Sequence, residues 1–207
     1  KKRGGLGIPI FKPREYNLDI IKRFKAAEDA GAVAVGIDID AASFKTMTLK
    51  GQAVGPKTIA ELQELKSHLK VPFILKGIMN VKSALAAIEA GADAIVVSNH
   101  GGRVMDHMPG TAEVLPGIAN AVGGRVKVLV DGGIREGIDI LKMLALGADA
   151  VMIGRPVCIA AFGAGQEGVS FYLQEKLNEL KKAMILTGCD SIGRIDPSII
   201  FRQKGDR

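Results

Sequence analysis

The chain has 207 residues, of which 47% are hydrophobic and 24% are charged, and its formal net charge at neutral pH is +6. This length and apolar content predict one globular domain rather than a disordered chain, and two cysteines are too few for a disulfide framework. The sequence contains no run of about 18 apolar residues, so no membrane span is predicted. Its lysines are scattered and form no basic, aromatic-rich patch, so no nucleic-acid partner is predicted.

A repeated pattern of helix end, glycine and short apolar run organises the chain. Copies occur around Gly31, Gly91 and Gly147, and glycine suits the position after a helix because positive φ is common there. The apolar runs that follow are typical of parallel strands buried on both faces. With two further apolar runs, the pattern predicts five strands, near residues 33–38, 72–76, 94–98, 126–131 and 150–153.

Helices are predicted between these strands from apolar spacing and capping residues. The expected segments are residues 17–30 with Asn17 as N-cap, 56–68, 81–90 with Asn80 as N-cap, 111–122, 136–146 and about 167–186. Strands that alternate with helices predict βαβ units and a parallel sheet. That sheet is either open and doubly wound or closed into a barrel.

The predicted strand ends favour the barrel. All five strands finish in polar or glycine-rich residues: Asp38 and Asp40, Lys76, 98–100, 131–133 and 154–155. An open sheet gathers its ligand at one switch point, whereas a (β/α)8 barrel uses the carboxyl ends of many strands. The ring of functional strand ends therefore predicts an α/β fold of the (β/α)8 type.

The last two strand ends predict a phosphate site. The segments Asp-Gly-Gly-Ile-Arg at 131–135 and Ile-Gly-Arg-Pro at 153–156 each precede a predicted helix. Glycines let the backbone approach an anion, helix N-termini supply N–H donors, and arginines add bidentate hydrogen bonds. The loops after the last two strands of (β/α)8 barrels commonly bind phosphate, so we favour this reading over two simple turns.

A histidine on a glycine-rich loop is the main candidate for catalysis. Residues 97–103 read Val-Ser-Asn-His-Gly-Gly-Arg. Arg103 could hold a substrate carboxylate while His100 takes a proton nearby. The alternative is a histidine that only hydrogen-bonds a loop carbonyl.

Charged residues at the first two strand ends complete the predicted site. Lys76 ends an apolar strand and is expected at the barrel mouth, where it could stabilise negative charge or pair with an aspartate. Asp38 and Asp40 alternate with isoleucines, so they should share one side, and one of them could orient His100. Neither cysteine has metal or redox spacing, and no metal cluster is predicted.

These motifs resemble those of the FMN-dependent 2-hydroxy acid oxidase and dehydrogenase family, which includes glycolate oxidase, lactate oxidase and lactate monooxygenase. The resemblance lies in residues 75–77, 97–103, 131–135, 144–148 and 153–156. It implies a (β/α)8 barrel with FMN across the carboxyl ends of its strands. It also implies oxidation of a small 2-hydroxy acid, similar to lactate or glycolate, to the 2-oxo acid.

The resemblance assigns a role to each matching residue. Lys76 would stabilise the reduced flavin anion, His100 would act as the base with Asp40 as its partner, and Arg103 would bind the substrate carboxylate. The implied cofactor contacts are Lys76, Ser98, His100, Gly101, Arg103, Asp131, Gly132, Gly133, Arg135, Gly154 and Arg155. A homo-oligomer, tetrameric as is usual in the family, is implied, and reduced cysteines favour the cytoplasm.

Three departures from the family pattern keep other readings open. Asp38-Ile39-Asp40 stands where the family has Thr-Val-Asp, residues 41–47 lack its second carboxylate-binding arginine, and its Gln-Leu-Tyr is replaced around residues 7–9. One alternative is a flavin-binding protein with a degraded substrate site. Others are an isoprenyl diphosphate isomerase and a barrel similar to inosine monophosphate dehydrogenase, which would need a nucleophilic cysteine in the 98–103 loop.

Length sharpens the expectation for domain organisation. A complete (β/α)8 barrel takes about 250 residues, and the five predicted strands correspond by resemblance to the fourth to eighth. We therefore expect residues 1–207 to form one partial FMN-binding barrel domain. The earlier strands would be missing or reduced to the segment around 4–11, so a longer chain or a partner would complete the barrel.

Overall fold

A computed structural model describes residues 6–201, and its centre is one parallel sheet. The sheet contains β1 (Ile10–Phe11), β2 (Val35–Asp38), β3 (Phe73–Ile78), β4 (Ala94–Val97), β5 (Lys127–Val130) and β6 (Ala150–Val151). Spatial order follows chain order from β1 to β6, and every neighbouring pair is parallel. Successive βα units of a barrel have this order, and in the described part β1 and β6 form the two edges.

Seven α-helices accompany the strands in residues 6–201. They are α1 (Asn17–Asp29), α2 (Lys45–Leu49), α3 (Ile59–Ser67), α4 (Val81–Glu89), α5 (Thr111–Val122), α6 (Gly137–Ala145) and α7 (Arg155–Leu186). Short 3-10 turns cover Ile39–Ala41, Ile192–Arg194 and Pro197–Ile199. A search of the described residues finds no helix with the length and apolarity needed to cross a bilayer.

All five predicted strands are present, and β1 is a sixth. It lies in the 4–11 segment, but with two residues it is too short to give a periodic signal. The first helix differs from prediction in its N-cap. Tyr16, not Asn17, is the N-cap of α1, and the Asn17 amide nitrogen donates to the Glu61 carbonyl at 3.1 Å. The last helix, α7, begins at Arg155, but its backbone is non-helical at Ala164 and Gly165, and the part after this break corresponds to the helix predicted over about 167–186.

The two faces of the sheet pack differently. Large side chains on the outer face, such as Phe73 and Leu75, join the helices in the main core. The opposite face carries a smaller cluster of Ala34, Ile74, Ala94 and Val96. Backbones approach so closely there that a Cβ at Gly36 would lie 2.5 Å from the Ile74 carbonyl oxygen. Because side chains alternate along a strand, Lys76 follows Ile74 on this inner face.

Candidate functional site

His100 follows the end of β4, and the carboxylate of Asp40, which follows the end of β2, contacts its ring. Its Nδ1 lies 3.2 Å from both carboxylate oxygens of Asp40 and 3.5 Å from Oδ1 of Asp38. The residue adopts a left-handed backbone with φ of 57°, and its N–H donates to the Ser98 hydroxyl at 3.1 Å. Since the carboxylates occupy Nδ1, Nε2 is the ring nitrogen that can meet a ligand.

A bulge in β3 makes room for Asp40. The register between β3 and β4 shifts between Lys76 and Ile78, and the intervening Gly77 has φ of 103°. A Cβ at Gly77 would lie 2.6 Å from the Asp40 Cβ. The bulge therefore needs glycine both for its backbone conformation and for the approach of the carboxylate that holds His100.

Two lysines surround the other aspartate. Lys76 Nζ donates to the Ser98 hydroxyl at 2.9 Å and lies 3.4 Å from Asp38 Oδ1 and 3.6 Å from Asp131 Oδ2. Lys12 Nζ lies 2.5 Å from the other Asp38 oxygen. Asp38 is only 5% exposed and Lys76 only 8%. Buried charges are tolerated when they are paired in this way.

The two aspartates titrate in opposite directions. Burial raises the pKa of Asp40 above its ordinary value, and the neighbouring Asp38 charge raises it further, against the lowering effect of His100. Burial also acts to raise the pKa of Asp38, but the Lys12 hydrogen bond, assisted by Asp40, Lys76 and His100, outweighs it and lowers that pKa. Asp38 is therefore the more persistent anion of the two.

Phe44, just after the β2 end, joins three cationic or ionisable groups. Its ring centroid lies 4.9 Å from that of His100, 5.0 Å from Lys12 Nζ and 5.1 Å from Arg103 Cζ. The sequence analysis missed both Phe44 and Lys12. Lys12 follows the apolar pair Ile10–Phe11, and the sequence analysis took polar residues after apolar runs as strand ends. With only two residues, β1 is too short to be recognised as such a run.

The glycine-rich loops on the other side form a cradle from backbone groups. Asn99 Oδ1 accepts hydrogen bonds from the N–H groups of Gly101 at 3.1 Å and Gly102 at 3.3 Å. Arg155 Nη2 donates to the Gly101 carbonyl at 3.3 Å, and a Cβ at Gly101 would lie 2.7 Å from that nitrogen. The Thr111 hydroxyl donates to the Asp131 carbonyl at 2.8 Å, which links the cradle to α5.

A cavity of about 450 Å³ joins the two sides. Every residue that the resemblance assigned to the cofactor lines it except Ser98. Ser98 is 0% exposed and lies beneath the surface, where it holds Lys76 and the His100 backbone, so its contact with a flavin ring stays a prediction. Asp40, the remaining catalytic candidate, lines an adjoining cavity of about 370 Å³ together with Phe44 and Arg103.

The cavity fits a phosphate-bearing cofactor with hydroxyl groups. Asp131 Oδ1 is buried without a hydrogen-bond partner, although such an acceptor normally has one. A Cβ at Gly133 or Gly154 would meet nothing within 4 Å, so there is open space against both backbones. The volume also falls within the range of small-molecule sites, about 300–1,000 Å³.

The same cluster has the spacing of a metal site, which the sequence did not predict. One ligand atom each from Asp38, Asp40 and His100 lies within 4.8 Å of the others. Lys12 and Lys76 already contact both oxygens of Asp38, and they supply the positive charge that a cation would bring. We therefore interpret the group as an ion-pair cluster.

Comparison with known proteins identifies the family. The family model described as FMN-dependent dehydrogenase matches residues 40–202. A 2-hydroxyacid oxidase of Dictyostelium discoideum is 50% identical over 143 residues, which are 69% of this chain and 37% of that protein. An L-lactate oxidase of Lactobacillus jensenii is 41% identical over 175 residues, 84% of this chain and 40% of that protein.

Solved structures agree with this assignment. The crystal structure of mandelate oxidase with (S)-2-phenylpropionate matches with a TM-score of 0.86 and 38% identity, over 94% of this chain and 62% of that one. A mandelate oxidase variant with a monooxide FMN adduct matches with a TM-score of 0.84 and 39% identity, over 94% and 62% of the two chains. These relatives confirm the predicted (β/α)8 barrel and FMN as the cofactor.

The chain spans only part of these relatives, between 37% and 40% of the two curated proteins. The family match nevertheless covers the cradle, the His100 loop and Asp40. Together with the site geometry, it shows that the chain belongs to the FMN-dependent dehydrogenase family.

Proposed function

We propose that this protein oxidises a small 2-hydroxy acid to the 2-oxo acid with FMN. The observation that carries the proposal is the position of His100 and Arg103 on the cavity that the glycine-rich cradle also lines. A base, a carboxylate-binding cation and a cofactor cradle then open onto one space. The relatives named 2-hydroxyacid oxidase and L-lactate oxidase support the same class of substrate.

The cradle would hold the cofactor through backbone and arginine groups. Asp131 would accept hydrogen bonds from the ribityl hydroxyls through its unpartnered Oδ1. Gly133, Gly154 and the arginines at 135 and 155 would surround the phosphate. FMN, when bound, accepts the hydrogen and electron pair that leave the substrate α-carbon.

The remaining steps belong to the charged residues. Arg103 would bind the substrate carboxylate and fix the orientation of the hydroxyl group. His100 would take the hydroxyl proton through Nε2 as the carbonyl bond forms, and Asp40 at 3.2 Å would stabilise the resulting imidazolium. Lys76 would supply positive charge at the reduced cofactor.

Spectroscopy of the purified protein tests this proposal. The protein should take up FMN and be yellow, and anaerobic addition of L-lactate, glycolate or (S)-mandelate should bleach it. A colourless preparation that takes up no FMN would contradict the cofactor and the function together. A yellow protein that no 2-hydroxy acid reduces would favour the alternative of a flavin-binding protein with a degraded substrate site. The absence of arginine from residues 41–47 supports that alternative.

We propose the same organisation for the whole molecule that the sequence predicted. Residues 1–207 would form one FMN-binding barrel domain, with further strands pairing at the β1 and β6 edges. The assembly would be a homotetramer in the cytoplasm, and the free Cys158 and Cys189 support a reducing compartment. Light scattering during size-exclusion chromatography measures the assembly, and cell fractionation measures the compartment.

A further inference from the structure

Asp38 is a buried carboxylate to which the proposed reaction assigns no step, although it lies 3.5 Å from His100 Nδ1. Its two oxygens contact two ammonium groups, with Lys12 Nζ at 2.5 Å and Lys76 Nζ at 3.4 Å. Burying a charge has a desolvation cost even when the charge is paired. Its two lysine partners explain why the charge is tolerated there, and its contact with Lys76 gives it a route to influence the cavity that Lys76 lines.

The three charges are arranged unequally around the cavity. Lys76 lines it, whereas Asp38 and Lys12 do not. Asp38 therefore lies behind Lys76, next to it in the register between β2 and β3, and Lys12 contacts the other carboxylate oxygen. The Lys12–Asp38 pair is neutral as a whole, but its negative member is the one in contact with Lys76.

This arrangement weakens the positive potential that Lys76 contributes to the cavity. A carboxylate in contact with an ammonium offsets much of its field, and burial keeps solvent from screening the effect. Lys12 reduces the effect of Asp38 on Lys76, because its own positive charge pairs with the same carboxylate. Asp131, whose Oδ2 lies 3.6 Å from Lys76 Nζ, acts on the same ammonium, but unlike Asp38 it lines the cavity.

We propose that Asp38 and Lys12 tune the charge around bound FMN in opposite directions. The inference rests on the proposed function, which puts FMN beside Lys76. Asp38 lowers the reduction potential of the flavin and its affinity for anions, and Lys12 raises both. Both are tuning residues that act through Lys76, and neither takes part in proton transfer.

Opposite shifts in two variants test the proposal. Sulfite adds to oxidised flavin as an anion, so its dissociation constant measures the positive charge near the ring. In FMN-loaded protein, Asp38→Asn should tighten sulfite binding about tenfold and raise the reduction potential. Lys12→Met should weaken sulfite binding by a similar factor and lower the potential. Lys12→Arg, which keeps the charge, should restore the parent values.

The controls separate tuning from structure and from the proposed function. If both variants move sulfite affinity in the same direction, or leave it unchanged while FMN stays bound, the pair is only structural and the proposal fails. If Asp38→Asn does not fold, Lys12→Met decides alone, because the Lys12 side chain is 29% exposed. If the parent protein takes up no FMN, the proposed function fails first and this proposal fails with it.

Discussion

The cavity has two walls of different construction. One wall, after β5 and β6, consists of glycine backbones and arginines, and Asp131 keeps an unpartnered oxygen there. The other wall, at the ends of β1 to β4, presents Lys76 and His100 to the cavity, and Asp38 and Asp40, which do not line it, contact these two residues. The first wall has a polar group without a partner that a ligand could meet. In the second wall the charged groups are already paired with one another.

This difference assigns separate tasks to the two walls. Backbone donors and arginines bind an anion without changing protonation state. The charged network contains His100, the base of the proposed reaction, and Asp40, which would stabilise the charged imidazole. Damage to the first wall should therefore affect cofactor affinity, and damage to the second should affect the reaction.

The largest expected effect is on the charged wall. His100→Gln should lower the rate of flavin reduction by a 2-hydroxy acid about 1,000-fold, because it removes the proton acceptor. FMN affinity should change little, since the cradle is untouched. Stopped-flow reduction and a flavin fluorescence titration measure the two quantities.

His107→Gln provides the matched control. His107 is also a histidine with left-handed backbone, at φ of 61°, but it is exposed and lies outside the cavity. FMN in this control variant should be reduced by the 2-hydroxy acid at the parent rate. If the 2-hydroxy acid reduced FMN in His100→Gln at that same rate, His100 would not be the proton acceptor, and the proposed difference in task between the two walls would be wrong.

The converse effect is expected on the backbone wall. Arg155→Met should weaken FMN binding about 30-fold, because a charge-assisted hydrogen bond contributes about 1.5–3 kcal/mol. Once saturated with FMN, the variant should still be reduced at nearly the parent rate. Equilibrium dialysis gives the affinity, and saturated single-turnover kinetics give the rate.

Arg125→Met is the control for this change. Its guanidinium also donates to backbone carbonyls, those of Val122 at 3.0 Å and Ala121 at 2.7 Å, but it does not line the cavity. FMN affinity should be unchanged in this variant. Equal losses in the two arginine variants would mean that general destabilisation, rather than the cradle, explains the effect.

The two walls also differ in how far the sequence predicts them. The backbone wall follows from short local motifs, since residues 131–135 and 153–156 carry their glycines and arginines together. In the charged wall, Lys12 and Asp38 are 26 residues apart, and Asp40 and His100 are 60 apart. The sequence placed Asp38 and Asp40 on one side, but a two-residue β1 gave no sign that Lys12 would reach Asp38.

The smallest expected effect concerns stability rather than activity, and it isolates the Asp38 charge. The folded protein holds the pKa of Asp38 below its ordinary value of 3.8. The unfolded chain therefore binds this proton more readily, so the ionised carboxylate stabilises the fold above that value. The stabilisation is lost as pH falls through the lowered pKa of the folded state.

Asp38→Asn should consequently be less stable than the parent at pH 7, by about 2 kcal/mol, because two ammonium groups lose a buried partner. The difference should shrink as pH falls below 3.8, the ordinary value, and it should be lost below the lowered pKa of the folded state, where both proteins are neutral at this position. Urea unfolding at a series of pH values measures it. A difference that stays constant with pH would mean that shape, not charge, explains the contribution of Asp38, and the charged wall would then be a packed surface like any other.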